Sequence, residues 1–367
     1  MMKLHIIQAR FGDCLLLEYG QPGQPAFMLI DGGPAGTYDN HLKIALQQIM
    51  QGHTQLEDLV VSHVDNDHIV GVLDLLTDLQ KQKDRKQTLY LSPGELWFNS
   101  FSRTISTTDV EDRLGHIQKT ASINGVAMQS MSVAVNGIRE GSRVLARAAK
   151  LEIPVNKAAP GGFFLAEKGN EVIRRQNLEI WVAGPTRSNL EKLRAEWEEW
   201  IRKNELAIAD GKYTRDVAAA LDRSIPNLSS IVLLVKGEGK SILLTGDCRG
   251  DHLVESLRET GLGPDGKLHV DILKVPHHGS IRNAPPYFFE QVTANIYVIS
   301  ADGTYGNPDL ETLLLIVDAA HRADRRIKLV VTNPTDTVTQ LQQERPAGEY
   351  GYTVECLAQG RSWMTIG

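Results

Sequence analysis

Apolar residues recur along this chain at two different spacings, which predict strands and helices in alternation. Between residues 69 and 79 they fall on one face of a helix, because they repeat every three or four positions. Short apolar runs bounded by glycine, proline or polar residues predict strands instead. The strands predicted in this way are Leu4–Gln8, Cys14–Tyr19, Ala26–Ile30, Leu59–Val61, Leu178–Val182, Ser230–Val235, Ser241–Leu244, Val270–Lys274, Ile296–Ile299, Lys328–Thr332 and Gly351–Leu357.

Helical patterns separate these strands and dominate the middle of the chain. The predicted helices are His41–Met50, Ile69–Leu79, Val110–Ser122, Ile138–Lys150, a segment from Ser188 to about Leu206, and two that start at Gly250 and Asp309. The pattern weakens over about 95–170, which we interpret as an insertion, with a second insertion at about 186–226. Two strand-rich halves around a helical insertion favour an α/β (α+β) fold, an αββα four-layer sandwich formed by residues 1–367 as one domain.

Composition narrows the class of protein without naming a function. The chain has 367 residues, of which 42% are hydrophobic and 23% charged, values typical of a soluble globular protein. Its formal net charge of −6 argues against indiscriminate coating of nucleic acid, although a local basic groove is compatible with it. With no signal sequence and no apolar run of bilayer length, we expect a cytoplasmic protein that does not enter the membrane.

The densest chemistry follows the predicted strand at residues 59–61. His63, Asp65, Asp67 and His68 place four possible metal ligands within six residues. Burying such side chains at the end of a strand would cost several kcal/mol apiece unless a cation neutralised them. This segment therefore predicts a metal site.

Three further polar clusters follow predicted strands. Asp247 ends a Thr-Gly-Asp sequence, His277 and His278 lie in a His-His-Gly-Ser sequence that ends at Ser280, and Asn307 comes after the strand at 296–299. Each cluster alone is a weak signal, because aspartate after glycine is common in turns. Four clusters at strand ends indicate one shared site.

The order of these motifs resembles that of the metallo-β-lactamase fold hydrolases. H-x-D-x-D-H, T-G-D and H-H-G-S are similar to the hydrolase domain of DNA-uptake competence channel proteins. Residues 11–14 and 29–33 match the opening hairpin of that family, and the strand that begins at Asn227 matches its N-x-x-S segment. The resemblance covers most of the chain outside about 95–170 and 186–226, and it implies a metallo-β-lactamase-type sandwich.

The resemblance also implies two divalent metal ions and their ligands. A first ion would use the opening motif, a second would use that motif and the histidine pair, and one carboxylate would bridge both ions. His63 and Asp65 would hold the first ion. Asp67, His68 and one of His277 and His278 would hold the second ion, and Asp247 would bridge both. Asp31 would be a structural carboxylate near the site.

A hydrolytic role follows from such a pair of ions. Water shared between two cations becomes hydroxide near neutral pH and can attack a substrate. Asp67, His277 and His278 are our candidate catalytic residues, because the histidine that binds no metal can hold a phosphate oxygen or protonate the leaving group. Asn227, Ser280 and Asn307 are candidate substrate-binding residues.

Departures from the family pattern affect the first ion and the general acid. Asp65 stands where histidine is more common, so manganese or magnesium becomes an option beside zinc. His116 is interpreted as a surface residue, which leaves the first ion to water or Asn227 and predicts partial occupancy. Asn307 replaces a histidine of the competence relatives and cannot exchange a proton at working pH.

The leading hypothesis is a metal-dependent phosphodiesterase or nuclease, with nucleic acid favoured by resemblance. A small phosphodiester, such as a cyclic nucleotide or a choline phosphodiester, stays open because no dense basic run is present. One alternative is a hydrolase of esters, thioesters or lactones. Another is a catalytically degenerate regulatory module that acts through a protein partner. Lys274, Arg249 and Arg282 lie near these motifs and could bind an anion, but we interpret each as an ordinary surface residue. The oligomeric state is left open.

Overall fold

The computed structural model describes residues 2–100, 129–169, 171–209 and 229–367. Its strands are β1 (Lys3–Ile7), β2 (Leu15–Gln21), β3 (Gln24–Ile30), β4 (Gln55–Val61), β5 (Ser92–Phe98), β6 (Ile173–Arg175), β7 (Leu178–Gly184), β8 (Val232–Gly237), β9 (Lys240–Leu244), β10 (Leu268–Lys274), β11 (Val292–Ile299), β12 (Ile327–Val331), β13 (Tyr352–Cys356) and β14 (Trp363–Ile366). Its α-helices are α1 (Lys43–Ile49), α2 (Asn66–Asp84), α3 (Gln129–Leu151), α4 (Arg187–Ala209), α5 (Gly250–Thr260), α6 (Phe288–Gln291), α7 (Leu310–Arg322), α8 (Asp336–Glu344) and α9 (Ala347–Tyr350).

These strands form two mixed sheets. The first has six strands in the order β14-β1-β2-β3-β4-β5, and the second has eight in the order β13-β12-β11-β10-β9-β8-β7-β6. Parallel pairing runs from β3 to β5 in the first sheet and from β9 to β13 in the second. Parallel neighbours end at the same edge, so polar residues that follow them collect there.

Alternate residues of each strand pack into different hydrophobic cores, which defines four layers. Leu15 and Leu17 join a central core that also contains Leu233 and Ile272 of the second sheet. Leu16, between the first two, faces an outer core with residues of α1, α2 and α3. A second outer core lies between the other sheet and α5, α6, α7 and α8. The predicted αββα sandwich is therefore confirmed.

The backbone of α2 closely approaches the backbone at the end of β3, and this contact fixes the helix against the first sheet. Gly71 on α2 donates its N–H to the carbonyl of Gly33 at 2.9 Å, and Gly32 donates to the carbonyl of His68 at 2.8 Å. A side chain at Gly71 would collide with the Gly32 carbonyl. Glycine is therefore required here, and it brings the first turn of α2 beside the end of β3.

Several elements were not predicted from the sequence. β5, β6, β14, α6, α8 and α9 are additional to the predicted set, and β5 overlaps the start of the insertion proposed at about 95–170. Val144 and Ala148 of α3 are buried in the outer core, so this part of the proposed insertion belongs to a helical layer. The helix predicted at 110–122 and most of 207–226 lie outside the described residues, and the domain bounds stay a prediction.

Among the described helices, none combines the length and apolar character that crossing a bilayer requires.

A buried ion cluster joins the two sheets away from their polar edge. Arg175 of β6 contacts Asp58 of β4 through two nitrogens at 3.0 Å, and its Nη2 lies 3.0 Å from Glu95 of β5. The guanidinium also lies over the Trp97 ring, 5.4 Å from its centroid. Burial raises the pKa of Asp58 to about 6, although Arg175 favours the ionised carboxylate.

Replacing Arg175 should destabilise the fold most strongly above the pKa of Asp58. We expect Arg175→Leu to lower the free energy of unfolding by about 3 kcal/mol near neutral pH, since it leaves a buried carboxylate unpaired. The raised folded-state pKa means that Asp58 favours folding when protonated, and that this contribution is lost as pH rises through about 6. The loss should therefore be smaller at about pH 5 than at about pH 8.

Urea unfolding of Arg175→Leu and of the neighbouring Arg174→Leu at both pH values checks this expectation. Arg174 pairs with Glu179 at the surface, so its replacement should change stability by less than about 0.5 kcal/mol. Equal effects of the two substitutions, or a larger loss at the lower pH, would contradict the assigned role of Arg175.

Candidate metal centre

Asp247 lies at the middle of the polar edge between the two sheets. It follows β9, and its side chain is buried. Thr245 holds this turn by donating its hydroxyl to the carbonyl of Lys274 at 2.7 Å, which joins the ends of β9 and β10. The carboxylate is thereby fixed where several other strands end.

Four imidazole rings direct their Nε2 atoms toward this carboxylate. The distance to Asp247 Oδ1 is 3.2 Å from His68, and the distances to Oδ2 are 3.5 Å from His278, 3.7 Å from His277 and 3.9 Å from His63. Two histidines come from the segment after β4 and two from the turn after β10. The structure thus brings together motifs that are separated by about half of the chain.

The proton positions of His68 and His63 follow from their Nδ1 partners. His68 Nδ1 lies 2.8 Å from Asp31 Oδ2, which can only accept, so Nδ1 carries a proton. Ser62 donates its hydroxyl to the same Asp31 oxygen at 2.6 Å, so its Oγ accepts from His63 Nδ1 at 3.0 Å. When neutral, both rings would therefore present an unprotonated Nε2 to the centre, as metal-binding histidines do.

Hydrogen-bond acceptors also bind the Nδ1 atoms of His277 and His278. His278 Nδ1 donates to the carbonyl of Ser300 at 2.9 Å. Asn283 donates its amide to the carbonyl of Asp247 at 2.9 Å, so its Oδ1 accepts from His277 Nδ1 at 2.8 Å. The φ angles of His277 and His278 are +48° and +54°, a strained region that the surrounding contacts hold.

Several atoms of this cluster lack the partners that buried polar atoms need. Among the described residues, Nε2 of His63, His68 and His278 and Oδ1 of Asp247 are buried without a hydrogen-bond partner. Candidate ligand atoms of Asp67, His68, Asp247 and His278 lie within 4.8 Å of one another. Unprotonated nitrogens that face a carboxylate need a cation between them, so these residues fit a divalent metal ion.

The formal charge of the cluster also fits metal. Five carboxylates face a single buried ammonium, that of Lys274, which leaves four negative charges uncompensated if the histidines are neutral. Two divalent ions would neutralise them. The carboxylates are those of Asp13, Asp31, Asp65, Asp67 and Asp247.

Electrostatics within the protein point the same way. Burial opposes protonation of His68 and His278, yet the carboxylates, led by Asp247, raise the pKa of both rings well above the ordinary value. Burial likewise opposes ionisation of Asp67 and Asp247, but the neighbouring histidines lower the pKa of both carboxyl groups. The cluster therefore favours positive charge at its middle, supplied by protons when no metal is bound.

The two predicted metal positions are not equally complete. Asp67, His68, Asp247 and His278 form a compact set for the second ion. For the first ion, His63 Nε2 lies 3.5 Å from Asp65 Oδ2, but among the described residues these two join no group of comparable compactness. Asp65 occupies the N-cap position of α2 without a capping hydrogen bond, so its carboxylate is available to a ligand.

Two buried residues of this centre were missed as site residues by sequence reasoning. Asp13 Oδ1 lies 3.4 Å from His278 Nδ1, and Asp13 Oδ2 lies 2.6 Å from Lys274 Nζ. Burial opposes ionisation of Asp13, but Lys274 and His278 hold its pKa well below the usual range. Interpreting Lys274 as a surface residue was wrong, because it is 1% exposed and also donates to the carbonyl of Val275.

The remaining predicted residues lie near the centre or outside the described part of the chain. Asn227 and His116 lie outside the described residues. Ser280 is buried two residues after His278. Asn307 precedes Pro308, which packs so closely on Gly279 that a Cβ at this glycine would lie 2.7 Å from the proline Cβ. The loop that carries Asn307 is therefore beside the histidine turn.

Comparisons with known proteins give few matches. No family model and no curated protein sequence matches the chain. Among solved structures, the metallo-β-lactamase fold protein YhfI from Bacillus subtilis is similar, with 9% identity, a TM-score of 0.41, and coverage of 100% of this chain and 99% of that one. The Acinetobacter baumannii Cap4 SAVED/CARF-domain receptor has 9% identity, a TM-score of 0.13, and coverage of 100% and 93%.

Neither likeness carries an argument about function at these scores. The metallo-β-lactamase type of fold, predicted from the motifs, rests on the four layers and on the ligand cluster at the shared strand edge. Neither of the two structures is a competence channel protein, and that narrower resemblance gains no support. The cluster itself supports a metal-dependent hydrolase.

Removal of the central carboxylate should abolish metal binding. We expect the wild type to retain one or two divalent ions per chain and Asp247→Ala to lose them, since this carboxylate faces every histidine of the cluster. Manganese at about 100 times its dissociation constant should stabilise the wild type by about 2.7 kcal/mol and leave the variant unchanged. Metal analysis and thermal unfolding check this, with Asp251→Ala, whose carboxylate pairs with Arg249, as the matched control.

The two adjacent histidines should differ in their effect on metal content. His278 belongs to the compact ligand set, whereas His277 has the more exposed side chain, 27% against 3%. We therefore expect His278→Ala to lose about 10- to 100-fold or more in metal affinity and His277→Ala to keep most of it. The opposite order in a metal titration would show that the ligand assignment is reversed.

Proposed function

We propose that this protein is a metal-dependent phosphodiesterase. The observation that carries the proposal is the position of Asp247. Its carboxylate faces four imidazole nitrogens, two from the segment after β4 and two from the turn after β10. When two divalent ions are bound there, they activate water and offset the negative charge that develops on a phosphoryl group. The ligand set mixes imidazole with carboxylate, which suits zinc or manganese, with magnesium as a further option.

Access to the cluster is from the side of Asp65, Asp67 and His277. Their side chains are partly exposed, whereas those of His63, His68 and His278 are buried. A substrate phosphate that approaches from solvent would therefore meet these three groups first. Asp67 lies 3.2 Å from His278 Nε2, so it can be both a ligand and part of the reacting surface.

His277 is the residue best placed to handle a proton. Asn283 fixes the proton on Nδ1, and Nε2 faces the accessible side of the cluster. A protonated His277 would hold a phosphate oxygen or give its Nε2 proton to the departing alkoxide. His278 is less suited to this role, because its Nε2 belongs to the buried ligand set.

An ester, thioester or lactone hydrolase is the competing function, since the same metal chemistry can act on a carbonyl. The count of charges is compatible with the phosphodiester: two divalent ions together with Lys274 would balance the five carboxylates, so no net negative charge would repel an anionic substrate at the partly exposed His277. Nucleic acid and small phosphodiesters stay equal candidates on this observation. A panel of lactones and thioesters under the same conditions tests the alternative.

Loss of His277 should slow phosphodiester hydrolysis more when the leaving group is more basic. With manganese, we expect the wild type to hydrolyse bis-p-nitrophenyl phosphate and a dinucleotide. His277→Ala should lower kcat for the dinucleotide by about 100-fold or more, because an alkoxide needs a proton. The loss should be smaller with p-nitrophenolate, a stable anion that leaves without one.

His269→Ala is the matched control, since His269 is exposed near the opposite end of β10 and bonds Thr293. It should leave both rates unchanged. No turnover with manganese, zinc or magnesium would exclude the proposed activity. Equal losses on the two substrates in His277→Ala would exclude its role as the proton donor.

A further inference from the structure

An aromatic pair lies near the metal centre, with Phe11 partly buried and Tyr305 exposed. The rings of Phe11 and Tyr305 meet edge to face with their centroids 5.5 Å apart, and Tyr305 is 83% exposed. The guanidinium of Arg10 lies over the Phe11 ring, 5.3 Å from its centroid. We refer to Arg10, Phe11 and Tyr305 as the rim platform. The exposed Tyr305 ring offers a face on which a planar group such as a nucleobase can stack.

Direct connections join the rim platform to the metal ligands. Phe11 is followed by Gly12 and Asp13, and Asp13 contacts His278. The carbonyl of Gly12 accepts a hydrogen bond from the hydroxyl of Ser300 at 2.6 Å, while the carbonyl of Ser300 accepts from His278 Nδ1. The platform is therefore attached to the same backbone that orients a metal ligand.

The loop of Tyr305 is fixed to the histidine turn as well. Asp309 donates its N–H to the carbonyl of Gly279 at 3.0 Å, and its carboxylate accepts from the N–H of Ile281 at 2.7 Å. Tyr305 has a φ of +62°, a conformation that glycine adopts at lower cost. Strained backbone at a residue whose ring lies in solvent favours a functional role for that ring.

Arg10 supplies a positive charge at this rim. Its Nη2 donates to the carbonyl of Ala35 at 2.6 Å, and its backbone N–H donates to Gln8 Oε1 at 2.9 Å. Within the described residues, no carboxylate pairs with Arg10. A fixed guanidinium without a counter-charge is suited to a phosphate, because it presents several donors in one plane.

We infer that the rim platform binds a nucleobase and an adjoining phosphate of a substrate whose scissile phosphodiester lies at the metal centre. Bases stack on exposed aromatic rings, and a phosphate one nucleotide away would meet Arg10. The inference rests on the proposed phosphodiesterase and specifies its substrate as a nucleotide phosphodiester. A choline or simple alkyl phosphodiester has no ring to stack and would not use the platform.

Two chromogenic substrates with one leaving group isolate the contribution of the base. The measurement is the ratio of kcat/KM for thymidine 5′-p-nitrophenyl phosphate to that for methyl p-nitrophenyl phosphate. Tyr305→Gly removes the ring and suits the backbone angle, so the fold should be kept. We expect this variant to lower the ratio about tenfold, Tyr305→Phe to restore it, and Tyr287→Ala, at another exposed tyrosine, to leave it unchanged.

An unchanged ratio in Tyr305→Gly, or equal losses on both substrates, would overturn the inference. If the wild type hydrolyses neither substrate, the proposed function fails, and the platform is decided by binding of a 5′-labelled oligothymidylate measured by fluorescence polarisation. There we expect about tenfold weaker binding in Tyr305→Gly, and in Arg10→Gln weaker binding with a shallower salt dependence. Equal affinities of wild type and Tyr305→Gly would overturn the platform itself.

Discussion

The carboxylate of Asp247, faced by four imidazole nitrogens, is the constraint on which the rest of this centre depends. Hydrogen bonds on the far side of each ring fix the proton on Nδ1, so neutral rings would direct their Nε2 lone pairs at an anion in the middle. Such an arrangement is stable only with positive charge between its members. The strained turn of His277 and His278 and the buried pair of Asp13 and Lys274 all serve to hold these groups in place.

Most of the fold could be predicted because long apolar patterns with clear breaks determine its layers. Every strand predicted from the sequence has a counterpart, and Leu15, Leu16 and Leu17 show why: alternate residues enter different cores. β6 and β14 were not predicted because they are short and mix apolar with polar residues, as in the sequence Ile-Arg-Arg of β6. Arg175 in that strand is understood only once Asp58 is seen beside it, since a pairing between distant residues leaves no local signal.

The candidate site was likewise only partly predictable from the sequence. The motifs around His63, Asp247 and His278 were predicted because ligands cluster at strand ends, and the structure places them together. Asp13 lies in the opening hairpin motif, but a single aspartate after glycine is usual in turns, and its contact with His278 leaves no local signal. Lys274 was misjudged because lysine is seldom buried, and only its contact with Asp13 explains the exception. The preference for His278 over His277 as a ligand rests on the compact set that His278 joins and on the greater exposure of His277, which only the folded chain reveals.

Anomalous X-ray diffraction from crystals grown with manganese tests the central claim most directly. The account predicts two peaks about 3.5–4 Å apart, one on either side of the Asp247 carboxylate. One of them should be coordinated by Nε2 of His278 and His68, with the other nearer to His63 and Asp65. Ordered manganese elsewhere in the crystal, with no peak within coordination distance of Asp247, would contradict the account.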